Sequence, residues 1–159
     1  MQSQLSEINT DSTDLSALRD RGAKVISYHG LSDQLIMPQG SLNYFERLAQ
    51  RMGGSDKVQE FNRLFFIPGF GHTGSFNLTG SVGLNGTVTP ASAVPLPQPA
   101  SGRDEMFNAL RAWVEKGIAP ERIDLANVAG TLGLPICAHP RKPVFTGTDP
   151  QSAAHYTCR

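Results

Sequence analysis

Residues 24–36 read KVISYHGLSDQLI, and this stretch decides the fold of the chain. Its opening run, residues 24–28, is short and rich in β-branched side chains, as is typical of a buried strand. His29 and Gly30 end the run, and a polar turn over residues 31–34 follows. Asp33 therefore lies just beyond the end of a predicted strand.

A predicted helix and a second predicted strand follow this first strand. Residues 40–52 (GSLNYFERLAQRM) carry regularly spaced apolar side chains, which predict a helix with Ser41 as its N-cap and Gly53 at its end. Residues 61–67 (FNRLFFI) are typical of a second strand. Strand, helix and strand in this order favour a parallel pair with a right-handed crossover, so we predict an α/β fold.

The remainder of the chain is less regular. Residues 69–102 are rich first in glycine and then in proline, and we expect an irregular loop there. Helical periodicity returns over residues 104–116, with Trp113 as an expected core side chain, and Gly117 ends it. Residues 134–159 contain several prolines, both cysteines and no strong periodic pattern.

The composition narrows the possible functions. Of the 159 residues 18% are charged, whereas about a quarter is usual in soluble domains, and 16 Gly and 11 Pro favour a loop-rich chain. The formal net charge is zero without a dense cluster of Lys or Arg, which argues against nucleic acid as a partner.

No apolar run is long enough for a membrane span. Residues 1–14 lack a signal-peptide pattern, so we expect any export signal upstream of Met1.

The two cysteines, Cys137 and Cys158, leave two interpretations open. A disulfide between them would close a loop of about twenty residues and stabilise the fold by about 3 kcal/mol. Two unrelated buried thiols are the alternative. The lack of periodic patterning between the cysteines favours the disulfide, because such a segment needs a covalent cross-link to be stable.

Two side chains able to carry out chemistry follow the two predicted strands. Asp33 lies in the turn after the first strand, and His72 lies in IPGFGHT after the second. Both turns belong to the carboxyl edge of a parallel sheet, where ligands bind. We therefore predict that the carboxylate and the imidazole meet as the acid and base of a catalytic triad. In the non-catalytic alternative both groups are structural and stay more than about 6 Å apart.

The other histidines receive structural interpretations. We expect His29 to shape the turn beside Asp33, because it adjoins the end of the strand. His139 and His155 lie in the tail, and we expect them on its surface.

Four segments in order resemble the tannase and feruloyl esterase family of the α/β-hydrolase superfamily. They are residues 14–45 with HG-x-x-D-x-x-I, residues 61–73 with PG-x-GH, residues 110–123, and the cysteine-containing residues 135–158. The resemblance implies the C-terminal part of an α/β-hydrolase fold, with the last parallel strands and crossover helices and without the part that bears the nucleophile.

The resemblance also implies a domain organisation and a cellular location. Residues 1–133 would be the C-terminal segment of the catalytic domain, with the irregular loop inside it, and residues 134–159 its disulfide-bracketed tail. The parent protein would be secreted or periplasmic. The missing N-terminal part of the same domain would be the partner of this chain.

The activity that the resemblance implies is hydrolysis of small aromatic esters, such as hydroxycinnamoyl or galloyl esters, by a serine esterase. Asp33 would be the acid that orients the histidine, and His72 the base that takes the proton of the serine. No cofactor is expected in this chain, since the calcium site of the family's lid would lie upstream. The loop over residues 76–99 would border the substrate cleft.

Two departures from the family pattern limit these expectations. Many members have a cysteine directly after the histidine, where this chain has Thr73. The sequence also contains no G-x-S-x-G nucleophile elbow, so we expect the chain alone to be inactive. A fragment of another α/β-hydrolase, such as a peptidase or depolymerase, and a non-catalytic module stay open as alternatives.

Overall fold

The structure, a computed structural model, describes residues 10–72, 104–127 and 131–159. Most of the predicted irregular loop over residues 69–102, including the part expected to border a cleft, lies outside these ranges. The described helices are α1 (Ser16–Asp20), α2 (Pro38–Arg51), α3 (Ser55–Gln59) and α4 (Glu105–Lys116), with a short 3-10 helix at Ala153–His155. The described strands are β1 (Val25–Gly30), β2 (Asn62–Ile67), β3 (Arg122–Ala126), β4 (Gly133–Cys137), β5 (Pro143–Phe145) and β6 (Tyr156–Cys158). None of the described helices combines the length and apolar character that a membrane crossing requires.

Strands β1 and β2 form the predicted parallel pair. Their register runs from Val25 opposite Asn62 to Gly30 opposite Ile67, so both strands end at the same level. Helices α2 and α3 make the crossover between them. Because of this register, the turn after β1 and the turn after β2 begin side by side.

Strand β2 is buried on both faces, as its nearly continuous apolar sequence requires. Leu64 packs against α2 and α3, whereas Phe65 and Ile67 pack towards α4, β3 and β4. The cluster on the α2 side consists of Phe45, Leu48, Met52, Val58, Phe61 and Leu64. The cluster on the α4 side consists of Phe65, Ile67, Met106, Ile123, Leu125, Ile136 and Ala138. Burying side chains of this size stabilises a fold by about 1.5–3 kcal/mol each, so the two clusters fix β2 firmly.

The tail forms antiparallel strands that the sequence did not predict. Strand β4 pairs with β3, and β6 pairs with β5. The tail also meets the middle of β2, because the His139 amide donates to the Leu64 carbonyl at 2.8 Å. A disulfide joins Cys137 to Cys158, which confirms that prediction and ties β4 to β6. His139 is half-buried between the rings of Phe45 and Phe66, so its expected surface position was wrong.

The predicted start and N-cap of the first of the two predicted helices were wrong. Helix α2 begins at Pro38, with Met37 as the N-cap, because proline suits the first helical position where no N–H is needed. Ser41 therefore lies inside the helix and is not the N-cap. In α4 Trp113 is buried as predicted, with 3% exposure, and Asp104 caps the helix through the Phe107 amide.

Candidate active site

Asp33 and His72 come together at the carboxyl ends of β1 and β2. The His72 Nδ1 atom lies 3.2 Å from Oδ1 and 3.1 Å from Oδ2 of Asp33. The Asp33 side chain is 9% exposed, whereas the His72 side chain is 34% exposed. The imidazole thus has a sheltered carboxylate on one side and remains partly open to solvent.

Backbone contacts hold the two turns against each other. The Leu31 amide donates to the Ile67 carbonyl at 2.9 Å, and the Ser32 amide donates to the Phe70 carbonyl at 3.1 Å. Gly30 is buried where the turn after β2 crosses the turn after β1. A Cβ atom at Gly30 would overlap the Phe70 carbonyl. The glycine therefore permits the close approach that brings His72 to Asp33.

The Asp33 carboxylate is held as an anion by its surroundings. Desolvation raises the pKa of Asp33, but the backbone N–H groups of Ile36 and Leu35 and the His72 side chain outweigh it and lower the pKa from 3.8 to about 2. The two amides donate to Oδ1 at 2.8 and 2.9 Å. The turn after β1 thus folds around its own carboxylate and aims it at His72.

A second histidine also contacts the carboxylate. The Nε2 atom of His29 lies 3.3 Å from Oδ2 of Asp33 and 3.0 Å from the Ile36 carbonyl oxygen. The Nδ1 atom of His29 lies 2.7 Å from Oγ of Ser41. We expected His29 to shape this turn, but the bond to Ser41 was missed because Ser41 was assigned to the helix cap.

The geometry determines what the pair can do chemically. A carboxylate accepts hydrogen bonds only, so the Nδ1 atom of His72 carries the proton that faces Asp33. The other ring nitrogen, Nε2, is then the basic one and can accept a proton from a hydroxyl group. The carboxylate stabilises the imidazolium that this transfer creates. The separation of 3.1 Å also differs from the wide separation expected for a non-catalytic module.

Among the described residues, neither a metal-binding group nor the cavity beside β2 includes this pair. Within the part of the chain that the structure describes, no group of three or more His, Cys, Asp or Glu side chains could hold a metal ion. A cavity of about 510 Å³ opens between β2, α2 and the tail. It is lined by Leu31, Leu42, Phe66, Pro68, His139 and Pro140, among others, and neither Asp33 nor His72 lines it.

Residues 1–159 match the family described as tannase and feruloyl esterase. The chain belongs to this family. It is 36% identical over 150 residues to a probable feruloyl esterase from Arthroderma benhamiae, a match covering 91% of this chain and 24% of that protein. It is 39% identical over 150 residues to a probable feruloyl esterase B-2 from Aspergillus terreus, covering 88% and 26%. The chain thus spans about a quarter of the length of these family members.

Solved structures of the family have the same fold over this region. Feruloyl esterase B from Aspergillus oryzae superposes with a TM-score of 0.73 at 28% identity, covering 96% of this chain and 30% of that one. Tannin acyl hydrolase from Aspergillus niger superposes with a TM-score of 0.71 at 23% identity, covering 99% and 27%. The second likeness concerns the fold alone.

Proposed function

We propose that this chain is the C-terminal catalytic segment of a serine carboxylic ester hydrolase of the α/β-hydrolase type, with Asp33 and His72 as two members of its triad. The observation that carries the proposal is the contact of 3.1 Å between the His72 imidazole and the Asp33 carboxylate. Family membership supports an ester hydrolase over another hydrolase class.

The proposed reaction uses a serine that this chain does not supply. His72 Nε2 accepts the hydroxyl proton as the serine oxygen attacks the ester carbonyl carbon. The His72 imidazolium then donates that proton to the leaving alkoxide as the ester bond breaks. In the second half of the reaction, His72 accepts a proton from a water molecule as that water attacks the acyl carbon. His72 then returns the proton to the serine oxygen as the acyl group leaves. Asp33 keeps the ring oriented through each transfer.

The proposed substrates are small esters of phenolic acids, of the hydroxycinnamoyl or galloyl kind. Support comes from the family, which is described as tannase and feruloyl esterase, and from its members with 36% and 39% identity, which are probable feruloyl esterases. Leu35, Ile36 and Met37 also expose apolar side chains directly beside Asp33. We assign this surface to contact with the aromatic substrate or with the missing part of the domain.

The proposal extends to domain organisation and location. Residues 1–133 belong to the catalytic domain, and residues 134–159 form its tail, closed by the Cys137–Cys158 disulfide. We propose that the parent protein is exported, since disulfides persist in oxidising compartments.

A fusion protein tests the proposal. In this esterase fusion, residues 10–159 replace the matching segment of feruloyl esterase B from Aspergillus oryzae, so that the relative supplies the serine. We expect the fusion to hydrolyse methyl ferulate or methyl gallate, and the 159-residue chain alone to hydrolyse neither. His72→Gln in the fusion should reduce hydrolysis to the background rate.

The matched control is His155→Gln, which changes a tail histidine in the same protein. It should leave the rate unchanged. A folded fusion whose activity survives His72→Gln would contradict the proposal, as would ester hydrolysis by the isolated chain that depends on His72.

A further inference from the structure

We propose that His29 and Ser41 form a brace that fixes the position of the Asp33 carboxylate, which makes His29 a positioning residue for the reaction. This inference rests on the proposed function of Asp33 and His72. It adds two residues that act through Asp33 and not on the reacting atoms.

The brace is a continuous series of contacts from helix α2 to the His72 imidazole. Ser41 Oγ lies 2.7 Å from His29 Nδ1, and His29 Nε2 lies 3.0 Å from the Ile36 carbonyl oxygen. The Ile36 amide donates to Asp33 Oδ1 at 2.8 Å. Asp33 in turn contacts His72 Nδ1. Every link is within hydrogen-bond distance, so the position of His72 is coupled to the first turn of α2.

The neighbours of His29 determine which ring nitrogen carries its proton. Nε2 faces two acceptors, the Ile36 carbonyl oxygen and the Asp33 carboxylate, so the neutral ring must carry its proton there. Nδ1 then accepts from the Ser41 hydroxyl group, which can rotate to donate. The opposite tautomer would direct a lone pair at both acceptors. The two acceptors at Nε2 therefore select the tautomer with which His29 holds the turn, and Ser41 supports that tautomer by donating to Nδ1.

The Asp33 carboxylate needs this support because the backbone amides that hold it are local. Asp33 Oδ1 accepts from the Leu35 and Ile36 amides, which lie only two and three residues away. Ile36 itself exposes 57% of its surface and gains little from packing. The His29 side chain is only 13% exposed and starts from strand β1, so it anchors the far end of the turn to the sheet. Without it, the turn can shift and carry the carboxylate away from His72.

Four variants of the esterase fusion test the brace. His29→Leu removes both nitrogens, and we expect kcat to fall by about tenfold to a hundredfold with KM little changed, since displacement of a catalytic group costs about that much. His29→Gln places an amide N–H near the Nε2 position and should retain most of the activity. Ser41→Ala should lower kcat less than His29→Leu does, and Ser41→Thr, which keeps the hydroxyl group, should restore it.

Two comparisons separate this inference from the proposed function. His155→Leu is the matched control and should leave kcat unchanged. If Asp33→Asn does not lower activity, the proposed function is wrong. If Asp33→Asn abolishes activity whereas His29→Leu leaves kcat at the wild-type value, only the brace is wrong.

Nitrogen NMR of the unsubstituted 159-residue chain gives a second test that needs no variant. We expect the neutral His29 ring to carry its proton on Nε2 and to have an unprotonated Nδ1. A proton on Nδ1, or rapid exchange between the two tautomers, would overturn the brace.

Discussion

The His72 Nδ1 atom lies 3.1 Å from Asp33 Oδ2, although 39 positions separate the two residues in sequence. Strands β1 and β2 account for this proximity, because their parallel register ends both strands at the same level. The contact orients the imidazole and leaves its other nitrogen to act as a base.

Replacing Asp33 by Asn should nearly abolish activity in the esterase fusion. The amide N–H group would favour the wrong tautomer of His72, and in known triads such a change costs about four powers of ten in turnover. Steady-state kinetics with methyl ferulate measure the effect. Asp20→Asn, at an exposed position on α1, is the control and should retain full activity. Similar losses from both variants would argue against a specific role for Asp33.

Acid should remove the stabilisation that the Asp33 contacts provide. The pKa of Asp33 is about 2 in the folded chain against an ordinary value of 3.8, because the hydrogen bonds outweigh the opposing desolvation. The folded state therefore binds protons less readily than the unfolded state. The stabilisation is fully present above the ordinary pKa and is lost as the pH falls through the folded-state value.

Urea unfolding of the wild-type chain and of Asp33→Asn measures this linkage. The difference in free energy of unfolding between them should shrink as the pH is lowered from about 5 to about 2. A difference that stays constant over this range would show that Asp33 is not held as an anion by the fold.

Gly30→Ala should destabilise the chain and disturb the pair. The new methyl group would overlap the Phe70 carbonyl, so the second turn must move away and take His72 with it. Overpacking of this kind costs about 1–3 kcal/mol. Gly40→Ala is the matched control, since it lies in α2 with open space around its Cβ position and should be neutral or stabilising by up to about 1 kcal/mol. Equal stabilities for the two variants would contradict the steric argument.

Removing the disulfide should loosen the tail. The Cys137–Cys158 bond closes a loop of 21 residues and joins β4 to β6. The double variant Cys137→Ser and Cys158→Ser should lose about 3 kcal/mol of unfolding free energy. Denaturation with and without dithiothreitol measures this loss, and only the wild-type chain should respond to the reductant. An unchanged wild-type midpoint under reducing conditions would contradict a stabilising role.

The sequence predicted the parts of the fold that have clear periodicity. Strand β2 has four apolar residues in succession, Leu64 to Ile67, and α2 carries one apolar face against it. Those two features predict that Asp33 and His72 lie at the same edge of the sheet. The pairing of Cys137 with Cys158 was also predicted correctly.

Other parts of the fold were missed from the sequence. Strands β4 and β5 contain Pro135 and Pro143, and β5 has only three residues, so neither has a recognisable alternation. Ser41 was assigned to the helix cap because serine is common there, but Pro38 takes the first helical position. His139 was expected on the surface, since nothing local reveals that the tail returns to pack between two phenylalanines. Contacts between distant segments decided the tail strands and the position of His139, whereas the start of α2 depends on Pro38, a local feature.

Proton and nitrogen NMR of the imidazole groups tests the central contact most directly. In the 159-residue chain we predict a hydrogen-bonded proton on Nδ1 of His72, strongly shifted downfield, which disappears in Asp33→Asn and persists in Asp20→Asn. A His72 ring protonated on Nε2 alone, or a spectrum that Asp33→Asn leaves unchanged, would contradict the account.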